Sequence, residues 1–156
     1  MIQRIQSVYL ALAALLSASM VVGKLANYVS LLGVTTTLSA LFTTTTTPTM
    51  ELPISINYVI IIGVVTCCTL ALAALFLFRN RKTQMLLCNI GTLVSILLTL
   101  YLAYVNNQLI EQNNIQSFDS GNFRLFTPIV CMMLFILAYK GIKKDDDLIK
   151  SADRLR

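Results

Sequence analysis

The side chains of this 156-residue chain that could carry chemistry are few, and their spacing suits none of the common reactions. Histidine is absent, which removes the most frequent general base and metal ligand. Cys67, Cys68, Cys88 and Cys131 all lie inside apolar runs, where a thiol behaves as a small hydrophobe and no disulfide framework is expected. The adjacent pair Cys67-Cys68 lacks the Cys-x-x-Cys spacing of a metal or redox motif. Glu51, Glu111 and Asp119 are far apart, and there is neither a Gly-x-Ser-x-Gly elbow nor a phosphate-cradling glycine loop. No catalytic, cofactor-binding or metal-binding residue is therefore expected, and an enzymatic reading ranks last.

One polar stripe remains inside an apolar segment: Asn89, Thr92, Ser95, Thr99 and Tyr101. It reads either as the lining of a pathway for a polar solute or as a packing seam with hydrogen bonds between helices. No ionisable residue falls mid-segment, whereas ion-coupled transport usually places one there. Packing is the better-supported reading.

The elements that position these residues are set by hydropathy. The chain is 56% hydrophobic and 12% charged, against about 45–50% and 25% for soluble domains. Two uncharged arms, Tyr58–Phe78 and Met85–Val105, are 21 residues each and match the roughly 20 residues that cross a bilayer core. The six residues between them, 79–84, allow only an antiparallel hairpin. Further spans are expected over about 5–23 and 125–142. A cleaved signal peptide ending near Ser17 and Ser19 is the alternative for the first of these. The fold class is thus an all-α membrane protein, a single-domain bundle of four transmembrane helices. Pro128 is tolerated in the first turn of the last helix.

Two loops remain, 24–57 and 106–124. The first is rich in threonine, with Pro48 and Pro53, and predicts extended chain with a β-hairpin turning at Gly33. Alternatives are a surface helix over Leu31–Phe42 and an unstructured linker over Thr43–Thr49. In the second loop, Ser120-Gly121-Asn122 signals a turn, after which Phe123–Phe126 is expected to pair in extended form with the first loop.

Charge orients the bundle. Ten basic residues fall on one side (Arg4, Arg79, Arg81, Lys82, Lys140, Lys143, Lys144, Lys150, Arg154 and Arg156), and only Lys24 and Arg124 on the other. Acidic residues divide four to three, so they do not drive the sorting. The positive-inside rule makes both termini, the turn 79–84 and the tail 143–156 cytoplasmic, with Arg79, Arg81, Lys82, Lys143 and Lys144 as topology determinants. Charge confined to span ends also argues against nucleic acid. The expected partners are the lipid bilayer and either another membrane protein or a second copy of the chain.

Helix association in lipid favours small residues. The expected seams are Ser7, Ala11, Ala14 and Ala18; Gly63, Cys67, Ala71 and Ala74; Cys88, Thr92, Ser95 and Thr99; and Thr127, Cys131 and Ala138. In the tail, Leu148, Ile149, Ala152 and Leu155 make one helical stripe, which predicts a short amphipathic helix on the inner leaflet or against the cytoplasmic span ends. Two readings of the tail stand side by side: a latch between its Ser151, Asp153 and Arg154 and the N-terminal Gln3, Arg4 and Gln6, or a solvated tail whose basic residues merely fix topology.

The opening Met1-Ile2-Gln3-Arg4-Ile5-Gln6, the turn Arg81-Lys82-Thr83-Gln84-Met85 with Cys88, and the ending Ser151-Ala152-Asp153-Arg154-Leu155-Arg156 resemble a bacterial family of four-span membrane proteins of unknown function. The resemblance implies fold and inner-membrane location and carries over no functional residues. The functional expectation is a non-enzymatic scaffold or subunit of an envelope assembly. A small channel or carrier for a polar or lipid-like solute is the alternative.

Overall fold

The computed structural model describes residues 3–29, 35–46, 51–77, 80–113, 117–118 and 122–154. Four helices dominate: α1 (Gln3–Val22), α2 (Tyr58–Phe76), α3 (Arg81–Asn113) and α4 (Thr127–Arg154). All four are long and apolar enough to cross a membrane. Each packs chiefly against two others, α1 and α3 both lying between α2 and α4.

The buried residues explain this ring. Each helix buries one stripe at alternating steps of three and four: Gln6, Leu10, Ala13, Ser17 and Met20 on α1; Ile60, Val64, Cys67, Ala71 and Ala74 on α2; Gln84, Cys88, Gly91, Ser95, Leu98 and Leu102 on α3; Pro128, Cys131, Phe135, Ala138 and Ile142 on α4. That spacing is the seam of left-handed, nearly parallel packing. The outward faces are Leu, Ile and Val, with Leu15, Ile62, Leu93 and Leu97 each more than 60% exposed.

The seams correct the small-residue expectation on α1. Ala14 is buried, but Ala11 is half-buried and Ala18 exposed, because the helix turns Leu10 and Met20 inward instead. Small size alone placed the seam off-centre, since larger apolar residues fill the space between the helices at the same spacing. On α2 and α3, Cys67, Ala71, Cys88 and Ser95 are buried, and Thr92 is half-buried. Gly63 marks a close approach: a Cβ there would lie 2.8 Å from Leu98 Cδ1.

At one end sits a five-stranded antiparallel sheet ordered β4-β3-β2-β1-β5, from β1 (Lys24–Val29), β2 (Thr35–Ser39), β3 (Phe42–Thr46), β4 (Glu51–Ile56) and β5 (Ser117–Phe118). The threonines favour extended backbone because Cβ branching stiffens χ1. Pro53 falls on the edge strand β4, beside a register shift between Thr43 and Thr45, where a missing N–H is tolerated. Neither a surface helix over Leu31–Phe42 nor a structureless Thr43–Thr49 describes the chain: residues 35–39 and 42–46 are strands, while Gly33 and residues 47–49 lie outside the described residues.

Three boundaries differ from expectation. Helix α3 starts before Met85 and runs past Val105 to Asn113, about 50 Å at 1.5 Å per residue. Its extension carries Leu109 and Ile110 against a core of Leu25, Tyr28 and Leu38 from the sheet, so part of the expected second loop is the helix on which the sheet rests. Residues Asn122–Phe126 form a 3₁₀ turn rather than a strand, and the pairing with the first loop is made by β5. The tail is no separate helix: α4 continues without a break from Thr127 through Arg154.

Candidate functional site

Polar side chains gather at the two ends of the bundle, not along its axis. The sheet end is built where α1 stops. Val22 is 89% exposed, and Gly23 and Lys24 lead directly into β1. The guanidinium of Arg124, from the 3₁₀ turn, occupies the place a Gly23 side chain would take, so any larger residue there would displace it. Lys24 and Arg124, the two basic residues that sequence sorting assigns to this side, thereby bracket one glycine although 100 positions separate them.

Beside Gly23 and Lys24 the sheet's outer face forms a concavity of about 480 Å³, lined by Lys24, Thr35, Thr37, Ser39, Thr44 and Thr46 with Val21, Val22, Leu41 and Phe42 at its apolar edge. Strand register produces the hydroxyl grid: Thr35 pairs with Thr46 and Thr37 with Thr44, placing all four on one face. The hydroxyls of Thr37 and Thr44 hydrogen-bond each other. Asn57 ties the sheet to the head of α2, donating from Nδ2 to Thr43 Oγ1 at 2.8 Å and to Ser39 O at 3.2 Å.

On the opposite face of the sheet, Tyr28 is buried and donates its hydroxyl to Asn106 Oδ1 on α3. Burial pushes its phenol pKa from 10.0 up to about 12, because the charged phenolate loses water there.

The tail end is organised differently. Gln6, only 5% exposed, donates from Nε2 to Asp145 Oδ2 at 2.6 Å, joining the start of α1 to the end of α4. Asp146 pairs with Lys150 at 2.5 Å. Lys150, with Arg81 and Lys82 nearby, holds the Asp146 carboxyl below the usual carboxylate range. Lys82, Lys143 and Lys144 are exposed, and Arg81 is half-buried with its Nη1 enclosed. Arg79 lies outside the described residues, as do the side chains of Gln3, Arg4, Asp153 and Arg154. Of the expected latch, Gln6 is engaged, by Asp145, while Ser151 donates to Leu148 O within its own helix.

Between the ends, the polar stripe of α3 does not form one lining. Ser95 is fully buried and donates to Gly91 O; Thr92 donates to Cys88 O and Thr99 to Ser95 O, each at 2.8 Å. Asn89 instead faces outward. The thiols stay in the seams: Cys67 Sγ lies 3.6 Å from Ser95 Oγ, Cys68 reaches Ala14 O at 3.9 Å and Cys131 reaches Ala13 O at 3.8 Å. Among the described residues no group of His, Cys, Asp or Glu is arranged to hold a metal.

Residues that sequence reasoning passed over are Gly23, Tyr28, Asn106 and Asp145. Gly23 beside Lys24 was the one local signal, a glycine where an apolar run ends. The Tyr28–Asn106 pair spans 78 positions, and no local pattern announces it.

The architecture defines a class: a ring of four membrane-length helices with a β-sheet cap at one end. The chain belongs to the DUF4293 family, a domain of unknown function, whose family model matches residues 2–155. No curated protein matches it.

Proposed function

We propose that the protein is a multi-pass component of the bacterial inner membrane, with both termini cytoplasmic. On this reading it acts without catalysis, as a scaffold or subunit of an envelope assembly. The ten-to-two distribution of basic residues supports the orientation.

Asn89 carries the interaction reading. It lies eight residues into α3 from Arg81, about 12 Å along the helix and therefore within the apolar layer. It is exposed among Leu86, Ile90 and Leu93, and among the described residues it makes no side-chain hydrogen bond. A carboxamide facing lipid favours a second membrane helix that can satisfy it. The channel or carrier alternative gains nothing from this stripe, because the hydroxyls turned inward are already bonded to their own backbone.

The test is purification in mild detergent with native gel analysis and mass spectrometry of co-purifying chains. A stable complex is expected, weakened about fivefold or more by Asn89→Leu. A wild-type protein that runs as a clean monomer overturns the proposal.

A further inference from the structure

We infer that Lys24 and Arg124 form a binding site for the phosphate of an anionic glycerophospholipid, completed by the threonine grid of the sheet. The inference rests on the membrane reading above. Basic residues are scarce on the sheet side of the chain, yet both of those present meet at Gly23. Among the described residues neither forms an ion pair. The guanidinium of Arg124 lies against Gly23, where the missing side chain leaves room for it.

The surroundings select a lipid over a free anion. Lys24 follows Val22, the exposed last residue of α1, so the two cations stand where an apolar span gives way to water, at the depth of lipid phosphates. The concavity that Gly23 and Lys24 line joins two chemistries. Thr35, Thr37, Thr44 and Thr46 offer hydroxyls to a polyol headgroup, and Val22 and Phe42 give the edge an apolar lip. A fork of guanidinium donors suits the oxygens of a phosphodiester, while Lys24 adds a mobile point charge. The glycerol hydroxyls of phosphatidylglycerol fit the threonine face, and the acyl chains fall along the exposed end of α1.

The probe is phosphatidylglycerol, titrated against phosphatidylcholine into the detergent-solubilised protein and read by native mass spectrometry. One phosphatidylglycerol is expected to be retained preferentially. Lys24→Gln with Arg124→Gln weakens that retention by roughly thirtyfold, the scale of two basic residues at a lipid surface. Lys143→Gln with Lys144→Gln leaves it in place. Gly23→Ala displaces the guanidinium and lowers retention severalfold while keeping both charges, an outcome that simple charge attraction does not produce. Unchanged retention in the Lys24/Arg124 double variant, with its thermal transition intact, overturns the site. Full competition by millimolar inorganic phosphate overturns the lipid assignment in favour of a free phosphate. A wild-type chain that stays monodisperse without detergent sinks the membrane reading itself, which separates that failure from failure of the site.

Discussion

The two ends of the bundle handle polar groups in opposite ways. At the tail end the groups are spent on one another: Gln6 on Asp145 and Asp146 on Lys150. At the sheet end, Lys24 and Arg124 converge on Gly23 with no carboxylate joined to either among the described residues. A polar group whose partner lies within the chain contributes to stability, and losing that partner costs the desolvation of whatever stays buried. A group held in position without a partner adds little to stability and is receptive to a ligand. The tail end is thus a fastening and the sheet end a receiving surface.

The scale for this contrast comes from the core that both ends share. Phe135, fully buried with Leu10, Cys88 and Ala138, loses about 3–5 kcal/mol on truncation to alanine. Phe135→Ala should lower the thermal transition in detergent and loosen both ends together. Loss at one end alone would mean that the ends fold independently.

Asp145→Ala comes next. It leaves the nearly buried Gln6 amide without its acceptor, at a cost of about 1–3 kcal/mol, while Asp145→Asn, which keeps an acceptor oxygen, should recover most of it. Chemical denaturation of the three proteins decides whether the contact acts as a hydrogen bond; equal stability of all three would remove the fastening.

Alkaline pH sharpens the sheet side. Tyr28 has its folded pKa raised from 10.0 to about 12, so its contribution is fully present below pH 10. Between pH 10 and about 12 the unfolded chain ionises first, binds fewer protons than the folded one, and stability falls. After solvent screening the loss is about 1–2 kcal/mol. Tyr28→Phe should lose the hydroxyl bond to Asn106 at neutral pH and flatten this alkaline decline. A decline unchanged in the variant would show that another group sets it.

The smallest expected effect is the most telling. Lys24→Gln and Arg124→Gln, singly or together, should shift stability by no more than about 0.5 kcal/mol, as exposed substitutions usually do. A loss of several kcal/mol in a melting experiment would make these residues a fastening as well, and the contrast between the ends would vanish.

Much of the helical scaffold was legible locally. Uncharged arms of 21 residues and a short basic turn can fold only one way in an apolar solvent, because every backbone polar group must be satisfied within its own segment. The threonine runs likewise announced extended chain. What misled was reading small residues as seams: Ala11 and Ala18 have the right spacing, but so do Leu10 and Met20, and periodicity cannot say which of two adjacent faces turns inward. The end of α3 was hidden because Asn106, Asn107 and Gln108 look like a loop, although Leu102, Val105 and Leu109 continue one helical face.

The sequence by itself determined the four apolar spans and the excess of positive charge at one end, since hydropathy and charge act residue by residue. Tertiary structure alone decided which faces meet, that α3 carries the sheet on its extension, and that Lys24 and Arg124 share one glycine. Those facts depend on packing between segments up to 100 residues apart, and no local preference encodes such a meeting.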